Sequence, residues 1–367
     1  MLTAGWGWAI LAPRMLATRS RRHAFAALAL GAAAGLAACG DNLAPEEPTV
    51  DEAGRHTYHF GPYALAAGQE RDTQCVSVTL DNEQPMFVNE VSLTTGPGFH
   101  HSNWFWVPEG SYPGPDGIWR CSERGFDEPL AAAVGGVLFA QSTQAAAETQ
   151  AFPAGVAIPI PPRSKIVAGV HMLNASDQPI STELDLAVTS IARADMHTQL
   201  AGLSFTNQAL ELPPGRTSSF TVDCDFDDIH RRQLLRAPDF NLYYVLPHYH
   251  DLGLGIDLIA TGPGGDVTVV STESAVGEPL GQRLSPAFSM RGHTGLRFTC
   301  HFDNPRAEVV RWGNGDQEMC VMLAFTDSEM QWGGGALDRD PGEPSDDGGE
   351  VAYHHECDLY GLSANRW

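Results

Sequence analysis

The sequence has few basic residues, and this shortage limits the partners that the protein could bind. Lysine and arginine together number 22, against 45 aspartates and glutamates, so the formal net charge is −23 at pH 7. Such an acidic surface repels nucleic acid and favours solubility. We therefore expect no nucleic-acid partner. The acidic charge has two alternative interpretations. It could attract a cationic substrate or electron donor, or it could simply keep the surface solvated.

The sequence also lacks a CxxC motif, although it contains seven cysteines. Without that spacing, neither a zinc cluster nor a thioredoxin-like redox motif is expected. Six cysteines remain when Cys39 is set aside, and an even number in an exported chain predicts disulfides; they are Cys75, Cys121, Cys224, Cys300, Cys320 and Cys357. Six cysteines allow fifteen pairings, and the sequence alone does not choose among them.

The candidate membrane segment near the N-terminus, residues 24–38, is too short and too rich in Ala and Gly to predict a transmembrane anchor. It follows a basic cluster at 19–22 and ends in Leu-Ala-Ala-Cys, which resembles a bacterial lipobox. We therefore predict a signal peptide over residues 1–38 and a lipidated Cys39 as the only membrane attachment. The alternative is a plain secretory signal. Translation could begin at Met1 or at Met15.

Helical periodicity is nearly absent from the rest of the chain. Residues 39–54 are polar and contain proline, which predicts a tether. Gly and Pro then recur every 8–15 residues and separate short runs with strand character. These runs are 76–80, 87–93, 165–173, 183–192, 219–223, 241–246, 267–271, 295–301 and 319–324. A helix is predicted only near 227–236. The pattern predicts an all-β sandwich or barrel architecture.

The length of the body, about 310 residues after the tether, predicts two domains rather than one core. A break near residues 194–201 divides the body into halves of similar size, 55–194 and 195–367. We find no strong sequence repeat between the halves.

Three histidine motifs are candidate metal sites. His248 and His250 are two residues apart, so on a strand both side chains point to one face and can reach one metal. His100 and His101 are adjacent, which requires a bulge or twist before both can bind one ion. His171 lies about 70 residues after that pair. Taken alone, the HxH motif also occurs in zinc sites, and a lone histidine is more often a core residue.

Met319, in Gln317-Glu318-Met319-Cys320, adds a thioether to these imidazoles. Neutral nitrogen and soft sulfur suit copper that cycles through Cu(I), whereas a thioether is a poor ligand for zinc. The alternative is a core methionine beside a disulfide, which is the commoner role of a methionine.

The order of the motifs, HH, H, HxH and EMC, resembles the copper type II, ascorbate-dependent monooxygenases, the family of peptidylglycine hydroxylase and dopamine β-hydroxylase. His-Tyr-His-Asp-Leu-Gly at 248–253 resembles the family's HxHxxG motif, and residues 317–320 resemble its DEMC segment with Gln in place of Asp. The chain departs from the family at Ser102, where methionine is usual. The resemblance covers about residues 55–360.

The resemblance implies two jelly-roll-like β-sandwich domains, with one copper on each and a solvent-filled cleft between them. His100, His101 and His171 would bind the first copper, which passes electrons. His248, His250 and Met319 would bind the second, which activates dioxygen and makes these three the catalytic residues. The expected protein is a monomeric monooxygenase that hydroxylates a C–H bond of a small organic substrate, with ascorbate or another one-electron reductant as donor.

The resemblance also implies disulfide partners and a substrate wall. The pairs would be Cys75–Cys121, Cys224–Cys357 and Cys300–Cys320. The positions that grip a substrate carboxylate in peptidylglycine hydroxylase correspond here to Leu246, Val321 and Leu323, which favours a neutral, hydrophobic or aromatic substrate. If this correspondence slips by a residue, Arg297 or Arg311 could take the role of the missing cation.

The alternative functions are those of other copper proteins. The main alternative is a non-catalytic copper-binding envelope lipoprotein that stores or delivers copper. A lytic polysaccharide monooxygenase needs a free N-terminal histidine, which lipidation at Cys39 excludes. A blue copper protein needs a cysteine thiolate ligand, and we expect every body cysteine to be in a disulfide. We expect the protein in a bacterial cell envelope, facing the periplasm or the cell surface.

Overall fold

The computed structural model describes residues 54–141, 145–273, 281–313, 316–364 and 366. Nearly all regular structure in these ranges is β-strand, so the predicted all-β fold is confirmed. The predicted signal peptide, the lipidated Cys39 and nearly all of the tether lie outside the described residues. In the described ranges, no helix is long and apolar enough to cross a membrane.

The first half of the chain forms two sheets around one core. Its strands are β1 (Gly54–Leu65), β2 (Glu70–Thr79), β3 (Met86–Thr95), β4 (Phe99–Pro108), β5 (Gly117–Arg120), β6 (Gly136–Ala140), β7 (Ala147–Ala151), β8 (Val156–Ile160), β9 (Ser164–Leu173), β10 (Ile180–Ile191) and β11 (Thr198–Gln199). One sheet has the order β1-β10-β3-β8-β11, with β7 paired to β3, and the other has β5-β2-β9-β4-β6. Side chains of both sheets, such as Val88 and Val167, share one buried cluster, as in a β-sandwich.

The second half repeats this arrangement with different strands. They are β12 (Ala201–Asn207), β13 (Glu211–Leu212), β14 (Arg216–Asp225), β15 (Asn241–His248), β16 (Gly253–Thr261), β17 (Val267–Thr272), β18 (Gln282–Ser289), β19 (Gly295–Asn304), β20 (Val310–Arg311), β21 (Val321–Thr326), β22 (Met330–Ala336), β23 (Ser345–Asp347), β24 (Glu350–Glu356) and β25 (Tyr360–Ser363). The two large sheets have the orders β18-β15-β21-β12-β22-β25 and β17-β16-β19-β14-β24-β23, and β13 pairs with β20. Side chains of both sheets, such as Val245 and Phe298, share a second buried cluster.

The two sandwiches contact each other through apolar side chains of β15 and β21. Tyr244, Leu246 and Phe325 belong to the core cluster of the first half. Phe152 of the first half has its ring centroid 6.1 Å from Tyr244 and 5.4 Å from Phe325. The chain passes between the sandwiches after β11, and the boundary that we place at residue 194 stays a prediction.

Two short α-helices interrupt the strands in the part of the chain that the structure describes. The helix predicted near 227–236 is confirmed as α2 (Asp227–Leu234), whereas α1 (Glu128–Val134) was not predicted. Asp127 caps α1, because its Oδ1 accepts a hydrogen bond from Leu130 N at 2.9 Å, and Pro129 occupies the first turn. This helix contacts β4 and β6, and it carries Glu128.

The described residues contain three disulfides, with the partners that the resemblance implies. They are Cys75–Cys121, Cys224–Cys357 and Cys300–Cys320. The last joins β19 to the residue that follows Met319. Three disulfides are typical of a chain that folds outside the reducing cytoplasm.

Candidate metal centre

The adjacent histidines lie at a β-bulge between β4 and β9. Phe99 pairs with Met172 and His101 pairs with His171, which leaves His100 as the extra residue on its strand. The ring centroids of the three histidines lie between 4.7 and 5.2 Å apart. The backbone irregularity that the adjacent pair requires is therefore confirmed, and it is what brings His100 beside the cross-strand pair.

These three histidines can offer neutral nitrogen atoms to one ion. One nitrogen from each lies within 4.8 Å of the others, and in the described part of the chain this is the one group of three His, Cys, Asp or Glu side chains so arranged. Burial, reinforced by neighbouring imidazoles, lowers the pKa of His100 to about 4 and that of His101 well below its usual value. Both rings are therefore neutral at pH 7, the form that binds metals.

Glu70 orients His171, a role that the sequence did not suggest. His171 Nε2 lies 2.9 Å from Glu70 Oε1, and His171 Nδ1 lies 3.2 Å from His101 Nε2. A proton on Nε2, donated to the carboxylate, leaves the lone pair of Nδ1 on the side of the other histidines. Such carboxylate–histidine pairs are usual behind metal ligands.

The second group of candidate ligands lies where β15 ends and β21 begins. Leu246 pairs with Leu323 and His248 pairs with Val321. Because alternate residues of a strand face the same side, His248 and Leu246 share a face with Val321 and Leu323. Met319 comes two residues before Val321, outside the strand, and lines the same cavity as His248. His250 lies just beyond β15.

Glu318 connects the His250 segment to the Met319 segment. Its Oε2 accepts hydrogen bonds from His250 N at 2.9 Å and Met319 N at 3.2 Å, and its Oε1 accepts one from Leu252 N at 2.7 Å. The side chain is 1% exposed, and this burial raises its pKa to about 7 although the N–H donors oppose the change. We expected a ligand at Met319; the sequence did not show that its neighbour holds both segments.

His250 has one ring nitrogen engaged and one available. Its Nδ1 lies 2.9 Å from the carbonyl oxygen of Gln317, which can only accept, so Nδ1 carries the proton. Its Nε2 is buried and has no hydrogen-bond partner among the described residues. Burial also lowers the pKa of His250. A buried imidazole with an unused lone pair fits a metal ligand, because leaving that atom without a partner costs free energy.

The two groups of ligands approach each other closely. The ring centroid of His101 lies 5.7 Å from that of His248 and 6.2 Å from that of His250. The resemblance implies a solvent-filled cleft between two separate sites. In this structure the two histidine groups instead face each other at ring-to-ring contact distance.

One cavity of about 740 Å³ joins the two groups. His101, His171, His248 and Met319 line it, together with the predicted apolar wall of Leu246, Val321 and Leu323. Its volume lies within the range that is usual for small-molecule sites. No described lysine or arginine lines it.

The two arginines named as alternative carboxylate-binding residues lie in ion pairs elsewhere. Arg297 pairs with Asp223 and Asp266, and Arg311 pairs with Glu211. Neither of them lines the cavity.

Comparison with known proteins gives little further information. The sequence matches no protein-family model and no curated protein. Among solved structures, the major capsid protein P2 from Bacteriophage PM2 is 7% identical and covers 74% of this chain and 97% of its own, with a TM-score of 0.25. A putative secreted protein from Parabacteroides distasonis is 9% identical, covers 76% and 91%, and has a TM-score of 0.18. The PBSX exported protein XepA is 10% identical, covers 74% and 86%, and has a TM-score of 0.20.

Proposed function

We propose that this protein is a copper-dependent monooxygenase that hydroxylates a C–H bond of a small, largely apolar organic substrate. One atom of dioxygen enters the C–H bond to give an alcohol. The other leaves as water with two protons and two electrons, which an external one-electron reductant such as ascorbate supplies. The observation that carries the proposal is the convergence of four separate parts of the sequence: His101, His171, His248 and Met319 line one cavity, and the rings of His100 and His250 lie next to that of His101.

The donor atoms fit copper better than other common ions. His100, His101 and His171 offer nitrogen only, which zinc would also accept. The second group combines the free Nε2 of His250 with the thioether of Met319, and a soft sulfur ligand favours Cu(I). Copper bound at these residues would supply one-electron redox chemistry and dioxygen activation.

The protein's own residues would position the substrate and limit the entry of water. Leu246, Val321 and Leu323 share a strand face with His248, so an apolar substrate held against them lies next to the predicted oxygen-activating ligands. Burying apolar surface there provides binding free energy of about 25 cal/mol per Å². Glu318 would keep His250 and Met319 in place during turnover, because it bonds to the backbone of both.

We further propose that the protein acts in a bacterial cell envelope as a monomeric lipoprotein attached through Cys39. The three disulfides support export, and the lipobox-like sequence supports the anchor. A copper-storage or copper-delivery lipoprotein would need the same ligands but no substrate cavity. The apolar wall beside His248 favours the enzyme.

Oxygen uptake by the copper-loaded, disulfide-bonded protein tests this function. The assay would use ascorbate across a panel of amines, phenols and fatty amides, with ¹⁸O₂ to label the product. We expect substrate-dependent oxygen uptake and one labelled oxygen atom in an alcohol product. Copper binding with no labelled product from any compound would support storage or delivery instead.

A further inference from the structure

Glu128 is a carboxylate on the cavity wall that the proposed chemistry does not use. It begins α1 and lines the same cavity as His101 and His171. Its Oε2 accepts one hydrogen bond, from Asn103 Nδ2 at 2.9 Å. No described residue donates to its Oε1, and no described lysine or arginine pairs with it.

The strand register places this carboxylate close to the first group of histidines. Asn103 pairs with Gly169 on β4 and β9, two residues along from the pair of His101 and His171. The two pairs therefore lie on the same face of the sheet, about 7 Å apart. Glu128 lies over the Asn103 and Gly169 pair.

Gly169 provides the space for Glu128. A Cβ atom at this position would lie 2.8 Å from Glu128 Oε1, closer than such atoms normally approach. Any other residue at 169 would therefore displace the carboxylate.

The cavity wall carries acidic residues around Glu128 but no described lysine or arginine. Asp127 is the other acidic residue that lines it, and its Oδ1 is occupied as the cap of α1. Burial raises the pKa of Glu128 to about 7. A buried, ionised carboxylate with one hydrogen bond destabilises the folded protein. Such a group is typical of a binding or catalytic site.

We propose that Glu128 binds a protonated amine of the substrate, so that the substrate has an apolar body and a cationic end. This rests on the proposed function and adds to it. The apolar body would lie against Leu246, Val321 and Leu323 of the second sandwich. The cationic end would contact the first sandwich, two residues along the strands from His101 and His171.

Binding to metal-free protein tests the inference, because an amine cannot then bind to copper. Calorimetry at pH 8 would compare benzylamine, benzyl alcohol and benzoate, which share a ring and differ in charge. A charge-assisted hydrogen bond predicts that benzylamine binds roughly 10-fold tighter than benzyl alcohol, with benzoate weakest. The Glu128→Gln variant should bind benzylamine and benzyl alcohol about equally.

Two further variants control for charge and folding. Asp127→Asn removes a neighbouring charge from the same cavity but keeps a good helix cap, and it should retain the preference for the amine. Gly169→Ala keeps the charge but displaces the carboxylate, and it should reduce the preference. Thermal melting would verify that each variant is folded.

The inference is overturned if wild-type protein shows no preference for benzylamine. It is also overturned if Glu128→Gln keeps that preference, or if Asp127→Asn loses it equally. Turnover is a separate readout. An amine preference with no oxygenation would refute the proposed function alone, and oxygenation with no amine preference would refute the role of Glu128 alone.

Discussion

The two groups of candidate ligands are built in different ways. His101 and His171 are a cross-strand pair of β4 and β9, with His100 added by a bulge, so a β-ladder holds the first group. His250 and Met319 lie outside strands, where Glu318 and the Cys300–Cys320 disulfide hold them. The first site therefore depends on the fold as a whole. The second depends on a few identifiable contacts and should be easier to disrupt by single substitutions.

Met319→Ile should produce the largest functional effect. Isoleucine has similar bulk but no sulfur, so the fold should persist while turnover falls by more than about 100-fold. Oxygen uptake and melting temperature would be measured together. Met322→Ile is the matched control, because Met322 lies three residues further along the chain, on β21, is fully buried and does not line the cavity. Normal turnover by Met319→Ile would show that Met319 is a core residue only.

Replacing both Cys300 and Cys320 by serine should weaken the second site and the fold together. Their disulfide spans 20 residues, and closing a loop of that length is worth about 3 kcal/mol in the chain-entropy model. Denaturant unfolding and copper analysis would measure the two effects. The control pair, Cys224 and Cys357, spans 133 residues, and its loss should lower stability without selective loss of the second copper. Free thiols at 300 and 320 in exported material would contradict the account.

Glu318→Gln should weaken the second copper more than Glu70→Gln weakens the first. Glutamine has a single acceptor oxygen and cannot satisfy all three backbone N–H groups that Glu318 bonds. We expect roughly a 10- to 100-fold loss of copper affinity at the second site. Glu70→Gln should have a smaller effect, because the ladder also positions His171. Competition titrations with a Cu(I) chelator would measure both, and equal losses would contradict the comparison.

Glu128→Gln should stabilise the protein at high pH, unlike the substitutions above. The pKa of Glu128 is raised from 4.5 to about 7, so the folded protein favours the protonated side chain. The stability that comes from this protonated form is fully present below pH 4.5 and is lost as pH rises through 7. Glutamine does not titrate, so the variant should gain about 3 kcal/mol over wild type at pH 8 and little at pH 4.5. Unfolding at both pH values would measure this gain, and a variant that is less stable at pH 8 would contradict it.

The predicted strands could be read from the sequence because local alternation and turn residues determine them. The bulge at His100 could also be predicted, since two adjacent ligands require one. Glu70 and Glu128 could not be identified, because their positions beside His171 and Gly169 depend on which strands and helix become neighbours. Helix α1 was missed although Asp127 and Pro129 form a recognisable helix start. The disulfide partners came from the resemblance, as the cysteine spacing alone left fifteen pairings open.

Copper content after loading and desalting tests the central claim most directly. The folded wild-type protein should retain two copper ions per chain, and His171→Ala should retain one. The assignment of His100, His101 and His171 to one ion and of His248, His250 and Met319 to another predicts this result. One copper in the wild type, or a preference for zinc at both sites, would contradict the account.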